Sequence, residues 1–219
     1  MLNIDENKIT LYHGSDKILK VPEFGKGEIN NDYGQGFYCT KNKGLAGEWA
    51  VLWTEKDGYI NEYSFDYSGL KVLYLNQLPV EHWIALLLNN RNIYSLNDFA
   101  FSINAFLQKY LIDTSEYDVI EGWRADDAFF SYITDFVSNT LSVENVSLAL
   151  KFGDLGNQVF LKSKKAFDRI NFTTYYPASA SRFLKSAKDR DKNAKQQYMN
   201  MRGRALGTRI SDLVGEENL

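Results

Sequence analysis

Two short β-prone runs near the start of the chain, Ile9-Thr-Leu-Tyr-His-Gly14 and Gly34-Gln-Gly-Phe-Tyr-Cys-Thr40, constrain its fold most. Each is built from residues that favour a pleated, half-buried surface, and each carries residues that a strand does not need. The first runs into Gly14-Ser15-Asp16, a turn signal. Between the runs, residues 17–33 hold Pro22, Gly25, Gly27 and two Asn, so this segment reads as a long loop, with or without one short helix. Loops of that length in compact domains are usually functional or disordered. After the second run, Leu45, Ala46, Trp49, Ala50 and Trp53 recur at helical spacing, with Asn42 or Lys43 near the start. Strand, long loop, strand and helix are thus the opening unit, and the remainder of the chain reads as completing it.

Farther along, Tyr59 to Phe65 alternates in strand fashion, and Leu70 to Leu75 follows beyond Ser68-Gly69, a pattern that predicts a hairpin. The middle turns helical: residues 80–89 after Pro79, then 96–111, whose Phe99, Ile103, Phe106, Leu107 and Tyr110 mark one face. A strand at 117–121, helices at 128–137 and 143–152 with Ser142 as N-cap, and a strand at 158–161 come next. Residues 166–172 suggest a last strand. Beyond Pro177 aromatic and β-branched residues give way to Ser, Ala, Lys, Arg and Gln, which predicts a boundary followed by a helical or disordered extension. The expected division is 1–176 as one α+β domain with a helical insertion at about 79–112, and 177–219 as a basic C-terminal extension.

Composition narrows the chemistry. With 219 residues and 44% hydrophobic content the chain can bury one sizeable core. A single cysteine, Cys39, excludes an internal disulfide framework and a multi-Cys zinc site, which suits a reducing cytoplasm. No basic segment followed by an apolar one opens the chain, and its longest apolar run, 83–88, is too short to span a bilayer, so a cytoplasmic protein without a membrane partner is expected. The net charge of −3 conceals an asymmetry: residues 182–209 hold nine Lys/Arg against Asp189 and Asp191, giving +7 there and −10 elsewhere. Such a segment fits an acidic protein face or nucleic acid, or else a solvated helix.

Position alone leaves His13 ambiguous between a structural and a catalytic histidine. Gly14 beside it allows close backbone approach of a ligand, and Ser15 adds a hydroxyl. Gly34-x-Gly without a third glycine or a βαβ unit does not make a dinucleotide fold. Tyr38 and Trp49, eleven residues apart across a strand-to-helix turn, are either two walls of a slot for a flat ring or, as in any chain with 32 aromatics, core residues. Cys39 sits among strand residues and reads as packed, and the two histidines, His13 and His82, lack zinc-protease spacing. No metal is expected.

Tyr12-His-Gly-Ser15 with Gly36-Phe-Tyr-Cys-Thr40 and the spacing to Trp49 resembles the ADP-ribosyltransferase superfamily, in its His-Tyr-Glu branch that contains diphtheria toxin and the poly(ADP-ribose) polymerases. The chain is also similar to an uncharacterised bacterial family of that superfamily. That likeness rests on Glu81-His-Trp83 with Asn90-Arg91, on the block from Tyr117 to Asp127, and on Asn157-Gln-Val-Phe160, and it covers about residues 9–172. The resemblance implies split antiparallel β-sheets around an NAD cleft, with flanking and inserted helices. It implies that His13 bonds the nicotinamide ribose, that Gly14 and Ser15 hold the nicotinamide end, and that Tyr38 and Trp49 sandwich the ring, with Thr40 also on the cofactor side. The branch's late-strand glutamate corresponds to Gln158, which can bond a ribose hydroxyl but brings no charge. Asp126 and Asp127 are the candidate substitute carboxylates, or else one of them caps the next helix. Lys26 is the expected diphosphate contact in place of the branch's usual Arg.

What the resemblance implies in function is an NAD-dependent mono-ADP-ribosyltransferase acting on a macromolecule, protein or nucleic acid. NAD would be a substrate and no metal would be needed. Rival expectations are an NAD glycohydrolase and a degenerate NAD-binding or protein-interaction module. Compact relatives often act as toxins in bacterial conflict, in the cytoplasm or delivered into a target cell, and the basic tail would then meet an antitoxin or nucleic acid.

Overall fold

The computed structural model describes residues 7–91, 98–125, 127–150, 156–201 and 207–215. Among the described residues seven strands form two sheets. In the first, β1 (Lys8–Ser15) and β7 (Ile170–Ala178) flank β3 (Gly58–Asp66), all antiparallel. In the second, the order is β2 (Phe37–Cys39), β6 (Asn157–Leu161), β5 (Val119–Trp123) and β4 (Val72–Tyr74). Only the β4–β5 pair in it is parallel. The architecture is α+β, as expected.

Period-two alternation decides where the cores lie. On β5 and β6, Val119, Val159 and Leu161 face the first sheet and meet Leu11, Phe37, Cys39, Tyr63 and Phe65. Their neighbours Ile120 and Phe160 point the other way. There they join helices α2 (Val80–Asn90), α4 (Asp127–Val137) and α5 (Val143–Ala149), with Phe106 of α3 (Ala100–Tyr110). The outer face of the first sheet is covered by α1 (Lys43–Leu52), through Ile60 against Ala46, Ala50 and Val51. Asn42 caps α1 by accepting from the Gly44 and Leu45 amides at 2.8 and 3.3 Å.

The two sheets touch at one backbone bridge, where Tyr12 and Thr40 exchange N–H···O bonds of 2.8 and 2.9 Å. Beyond it β1 and β2 diverge. Residues 59–65 and 70–75 do not form the expected hairpin. After Ser68-Gly69 the chain leaves the first sheet, and β4 pairs in parallel with β5 through Val72↔Val119. Gly69, at φ +71°, allows the sharp turn that carries it there. Residues 164–167 form a short helix, α6, ahead of β7.

The composition break at Pro177 is not a break in packing. β7 continues through Pro177 to Ala178, a place a proline tolerates because β7 is an edge strand. Helix α7 (Ala180–Met201) then lies against α1. Ala187, Ala194 and Tyr198 are buried, and Tyr198 stacks on Tyr132 of α4 at 4.0 Å. Phe183 sits on Gly47, where a Cβ would come within 2.3 Å of its ring. A stripe of small residues on an otherwise charged helix was enough to dock it, and average composition conceals such a stripe. A final helix, α8 (Ile210–Val214), buries Ile210. Among the described residues no helix is long and apolar enough to cross a membrane.

Candidate active site

Where the sheets diverge a cavity of about 520 Å³ opens, within the range of small-molecule sites. His13 and Gly14 come from the end of β1, Tyr38 from β2, and Gln158 from β6. Trp49 of α1 and Trp53 just past its end form one side, and Arg190 of α7 stands among the residues closing another. The sequence-expected His13, Gly14, Tyr38, Trp49 and Gln158 therefore share one cavity.

His13 Nδ1 lies 2.7 Å from the Tyr38 carbonyl, and its ring is 4.5 Å from that of Phe37. A carbonyl only accepts, so Nδ1 carries the proton of the neutral imidazole, and Nε2 is an acceptor on the cavity side. Burial lowers the His13 pKa from its ordinary value, the hydrogen bond opposing this in part, which keeps the ring neutral at pH 7. His13 is thus prepared to accept a hydrogen bond from a hydroxyl.

Gly14 works through packing. A Cβ there would lie 1.9 Å from the Ala46 carbonyl oxygen and 2.9 Å from the Trp49 Cβ, so the glycine lets α1, with Trp49, press onto β1. The close approach predicted for a ligand is made by the helix.

Tyr38 has no hydroxyl to spare. It donates to the Gly34 carbonyl at 2.8 Å and accepts from the Tyr33 amide at 3.0 Å, which pins the end of the long loop. Burial raises its pKa. Its contribution to the cavity is a ring, packed 4.7 Å from Phe160. The Trp49 ring carries the Arg124 guanidinium at 5.1 Å, and its Nε1 is buried with no hydrogen-bond partner among the described residues.

Gln158, 3% exposed, is the most constrained group. Its Nε2 donates to Asp32 Oδ2 at 2.9 Å and to the Trp123 carbonyl at 3.2 Å. Both partners can only accept, so the amide orientation follows: both N–H bonds are used inward, and Oε1 is the end offered to the cavity. Asp32, also 3% exposed, accepts two bonds on Oδ1 from Arg91, at 3.0 and 2.7 Å. Its Oδ2 takes one from Ala125 N at 3.0 Å besides that from Gln158. Four donors fill a carboxylate's acceptor sites. Asp32 is therefore a positioning residue for Gln158.

Several sequence features converge on this support. The Trp123 carbonyl also accepts from Tyr33 Oη at 2.6 Å and Trp83 Nε1 at 3.0 Å, while Asn90 Nδ2 donates to the Asp32 carbonyl at 3.2 Å. The Trp83 and Asn90-Arg91 motifs thus hold the loop and the Gln158 strand together. Asp32 could have been suspected from its place next to the Tyr33-Gly34 turn; its pairing with Arg91 and Gln158, 59 and 126 residues away, has no local signal.

Other expected residues lie elsewhere. Ser15 hydrogen-bonds Asp16 at 3.2 Å and does not line the cavity. Thr40 is buried; its hydroxyl donates to the Asn157 carbonyl at 3.2 Å and accepts from the Asn42 amide at 3.1 Å, which ties the end of β2 to β6, while its backbone makes the bridge to Tyr12. Lys26 is exposed, 3.6 Å from Glu23, and is not among the cavity residues. Asp126 and the side chain of Asp127 lie outside the described residues. Glu121, a buried carboxylate of β5 that does not line the cavity, is engaged by Lys41 at 2.8 Å and by the Tyr67 hydroxyl. Cys39 is buried with its thiol pKa raised by burial, and His82 Nδ1 is bonded to the Tyr110 carbonyl at 2.8 Å. Among the described residues no three His, Cys, Asp or Glu side chains group as metal ligands.

Residues 9–172, most of the chain, match the family described as "Protein of unknown function (DUF3990)". The chain belongs to that family. No match to a curated protein was found. The family match takes in His13, Tyr38, Trp49, Asp32, Arg91 and Gln158, and it ends before α7, so one wall of the cavity is built from outside it.

Proposed function

We propose that this cavity binds NAD, splits its nicotinamide glycosidic bond and transfers ADP-ribose to a macromolecular acceptor. The observation that carries the proposal is that two acceptors of fixed orientation, His13 Nε2 and Gln158 Oε1, share one cavity with the rings of Tyr38 and Trp49. Acceptors set in this way suit the hydroxyls of a ribose, and aromatic walls suit a flat ring beside it. The α+β architecture, with residues of both sheets lining the cavity, is consistent with the split-sheet arrangement that the resemblance implies and supports this reading.

In the proposed reaction the C1′–N bond breaks with both electrons leaving on nicotinamide, which neutralises its ring. Positive charge develops at C1′ and O4′, an acceptor nucleophile bonds to C1′, and the nucleophile's proton passes to solvent or base. A hydroxyl beside C1′, fixed by Gln158 Oε1, is held in place while that charge develops, and the Gln158 carbonyl dipole points its negative end toward it. A neutral amide gives less stabilisation than a carboxylate, by about 2–4 kcal/mol for one such contact. This favours a single transfer over chain elongation.

Incubation with NAD labelled on its adenylate half, together with cell lysate, tests the proposal. Label on protein or nucleic acid and free nicotinamide are the expected result. Nicotinamide without labelled acceptor would identify a glycohydrolase instead. Intact NAD would overturn the proposal and leave a binding module.

A further inference from the structure

Trp53 is the most exposed large apolar side chain among the described residues, at 88%. A single exposed apolar residue is ordinary on a protein surface. Trp53 differs in its place: it follows α1 directly and lines the cavity, so a ring open to solvent over most of its surface stands at the cavity's opening. Leu52 is its one exposed apolar neighbour along the chain, and Thr54, Glu55, Lys56 and Asp57 beyond it are exposed and polar.

Helix α7 brings a basic face to the same opening. Ala187, Ala194 and Tyr198 are buried on one side of it, and Arg182, Lys185, Lys188 and Lys192 are exposed on the other. Their spacing keeps the four cations on one side over about 15 Å of helix. Asp189 is exposed beside them, and Asp191 is paired with Lys195 at 2.8 Å. Lys188 also lines the cavity, and its Nζ is 3.8 Å from Glu55, two residues past Trp53. Both partners of that pair are largely exposed, so it contributes little and yields to a phosphate. The helix is held from its other side: Arg190 and Ser186 Oγ both meet the buried Glu48, and Phe183 packs on Gly47. Docking of α7 therefore does not depend on its exposed lysines.

A basic helix face suits an acidic protein or a polyphosphate equally. Trp53 decides between them. A tryptophan that anchors a protein interface is ringed by contacts that exclude water, whereas a lone ring among charged side chains suits a nucleic-acid base, which brings its own flat face with a charged backbone alongside. A base in a duplex is already stacked, so the strand that fits is single.

We infer that Trp53 and the basic face of α7 form a docking surface for a single-stranded nucleic acid, with a base stacked on Trp53 at the cavity opening and phosphates along Lys185, Lys188 and Lys192. On the transferase function proposed above, on which this step rests, the docked strand is the acceptor. A lone pair on its base or sugar bonds to C1′, the C1′–N pair leaves on nicotinamide, and the acceptor's proton passes to solvent. The surface itself is testable without NAD.

Fluorescence anisotropy of labelled RNA and DNA single strands of about 12 nucleotides, and of the matching duplexes, titrated with the full chain at several salt concentrations, tests this. Single strands should bind more tightly than duplexes. Trp53→Ala should weaken them about five- to a hundredfold, as expected for one stacked base, without changing the salt dependence, and Trp53→Phe should recover most of the loss. Lys185→Gln combined with Lys192→Gln should weaken them about tenfold and lower the slope of log affinity against log salt by about 1.4, about 0.7 for each phosphate contact. Lys71→Gln combined with Lys164→Gln removes the same charge where the second sheet ends away from Gln158, and should change affinity by no more than about twofold. All these side chains are exposed, and thermal melts check that each variant is folded. The surface is overturned if no single strand binds, if duplexes bind as well, or if the two lysine pairs weaken binding equally. Single-strand binding that needs Trp53, beside intact NAD, would uphold the surface and defeat the transferase proposal. ADP-ribose transferred to protein, with no strand bound, would uphold the transferase and overturn the surface.

Discussion

Replacing Gln158 by glutamate introduces the residue that the resemblance to the His-Tyr-Glu pattern leads one to expect there, and the geometry requires that it fail at neutral pH. Nε2 now donates to Asp32 Oδ2 at 2.9 Å and to the Trp123 carbonyl at 3.2 Å. In Gln158→Glu an oxygen takes that place and faces two acceptors. Two carboxylates with charge centres near 4 Å repel by about 4 kcal/mol at an effective dielectric of 20. Arg91 on the far oxygen relieves part of this. Proton uptake provides the alternative: holding an ordinary glutamic acid protonated at pH 7 costs about 3–4 kcal/mol, and about 1.4 kcal/mol less for each unit of lower pH. Either route gives a loss of about 3 kcal/mol at pH 7, a fall in Tm of about 6–12 °C for a chain of this size. The introduced carboxyl has its folded pKa raised, so the folded state holds the extra proton; the variant approaches wild-type stability below the unfolded pKa and loses ground as pH rises through the folded one. Thermal melts from pH 4.5 to 8.5, paired with nicotinamide release, read both effects. A variant as stable as wild type at pH 8 and more active there would refute the assigned amide orientation and the role of Asp32.

The other predictions concern the supports of the same cavity. Arg91→Met leaves Asp32 buried without its cation and should cost about 3 kcal/mol or more, read as a lower urea midpoint, whereas Lys26→Met should change stability by less than about 0.5 kcal/mol. Gly14→Ala must displace α1 and Trp49, so tryptophan fluorescence should shift and ligand affinity fall by more than the loss of stability explains. His13 has its folded pKa lowered, so the unfolded chain binds the proton more readily, and stability falls as pH drops below the ordinary histidine range; in His13→Gln that part of the pH dependence should vanish from the melts. Phe183→Ala should cost about 2–3 kcal/mol by emptying the α1–α7 contact. Truncation before α7 should therefore lower Tm sharply and should not leave a stable, active body.

How far the sequence could be read depended on the range of the interaction. β1, β2 and α1 follow from local pattern and from Asn42 as a cap, and their side-chain periodicity brings His13, Tyr38 and Trp49 to one place. Gln158 was expected from the resemblance and lines the cavity, but its orientation was not legible, because Asp32 and Trp123 fix it from 126 and 35 residues away. The 70–75 run kept its strand character and changed its partner, since alternation reports a buried face and says nothing of which strand lies alongside. Helix α7 was expected as a helical or disordered extension, and composition concealed its docking: Ala187, Ala194 and Tyr198 supply little hydrophobicity in total, yet they are buried. Lys26 was nearest in sequence to the opening motif, whereas the cations that line the cavity come from three places in the fold, the end of α2, the residue after β5, and α7.

Release of nicotinamide from NAD by the purified chain, followed by chromatography beside His13→Ala and Trp49→Ala, tests the central claim most directly. The account predicts steady release by the wild type and a loss of at least about tenfold in each folded variant, the amount expected when one substrate contact of 1.4 kcal/mol or more is removed. No release by the wild type, or equal release by all three, would contradict it.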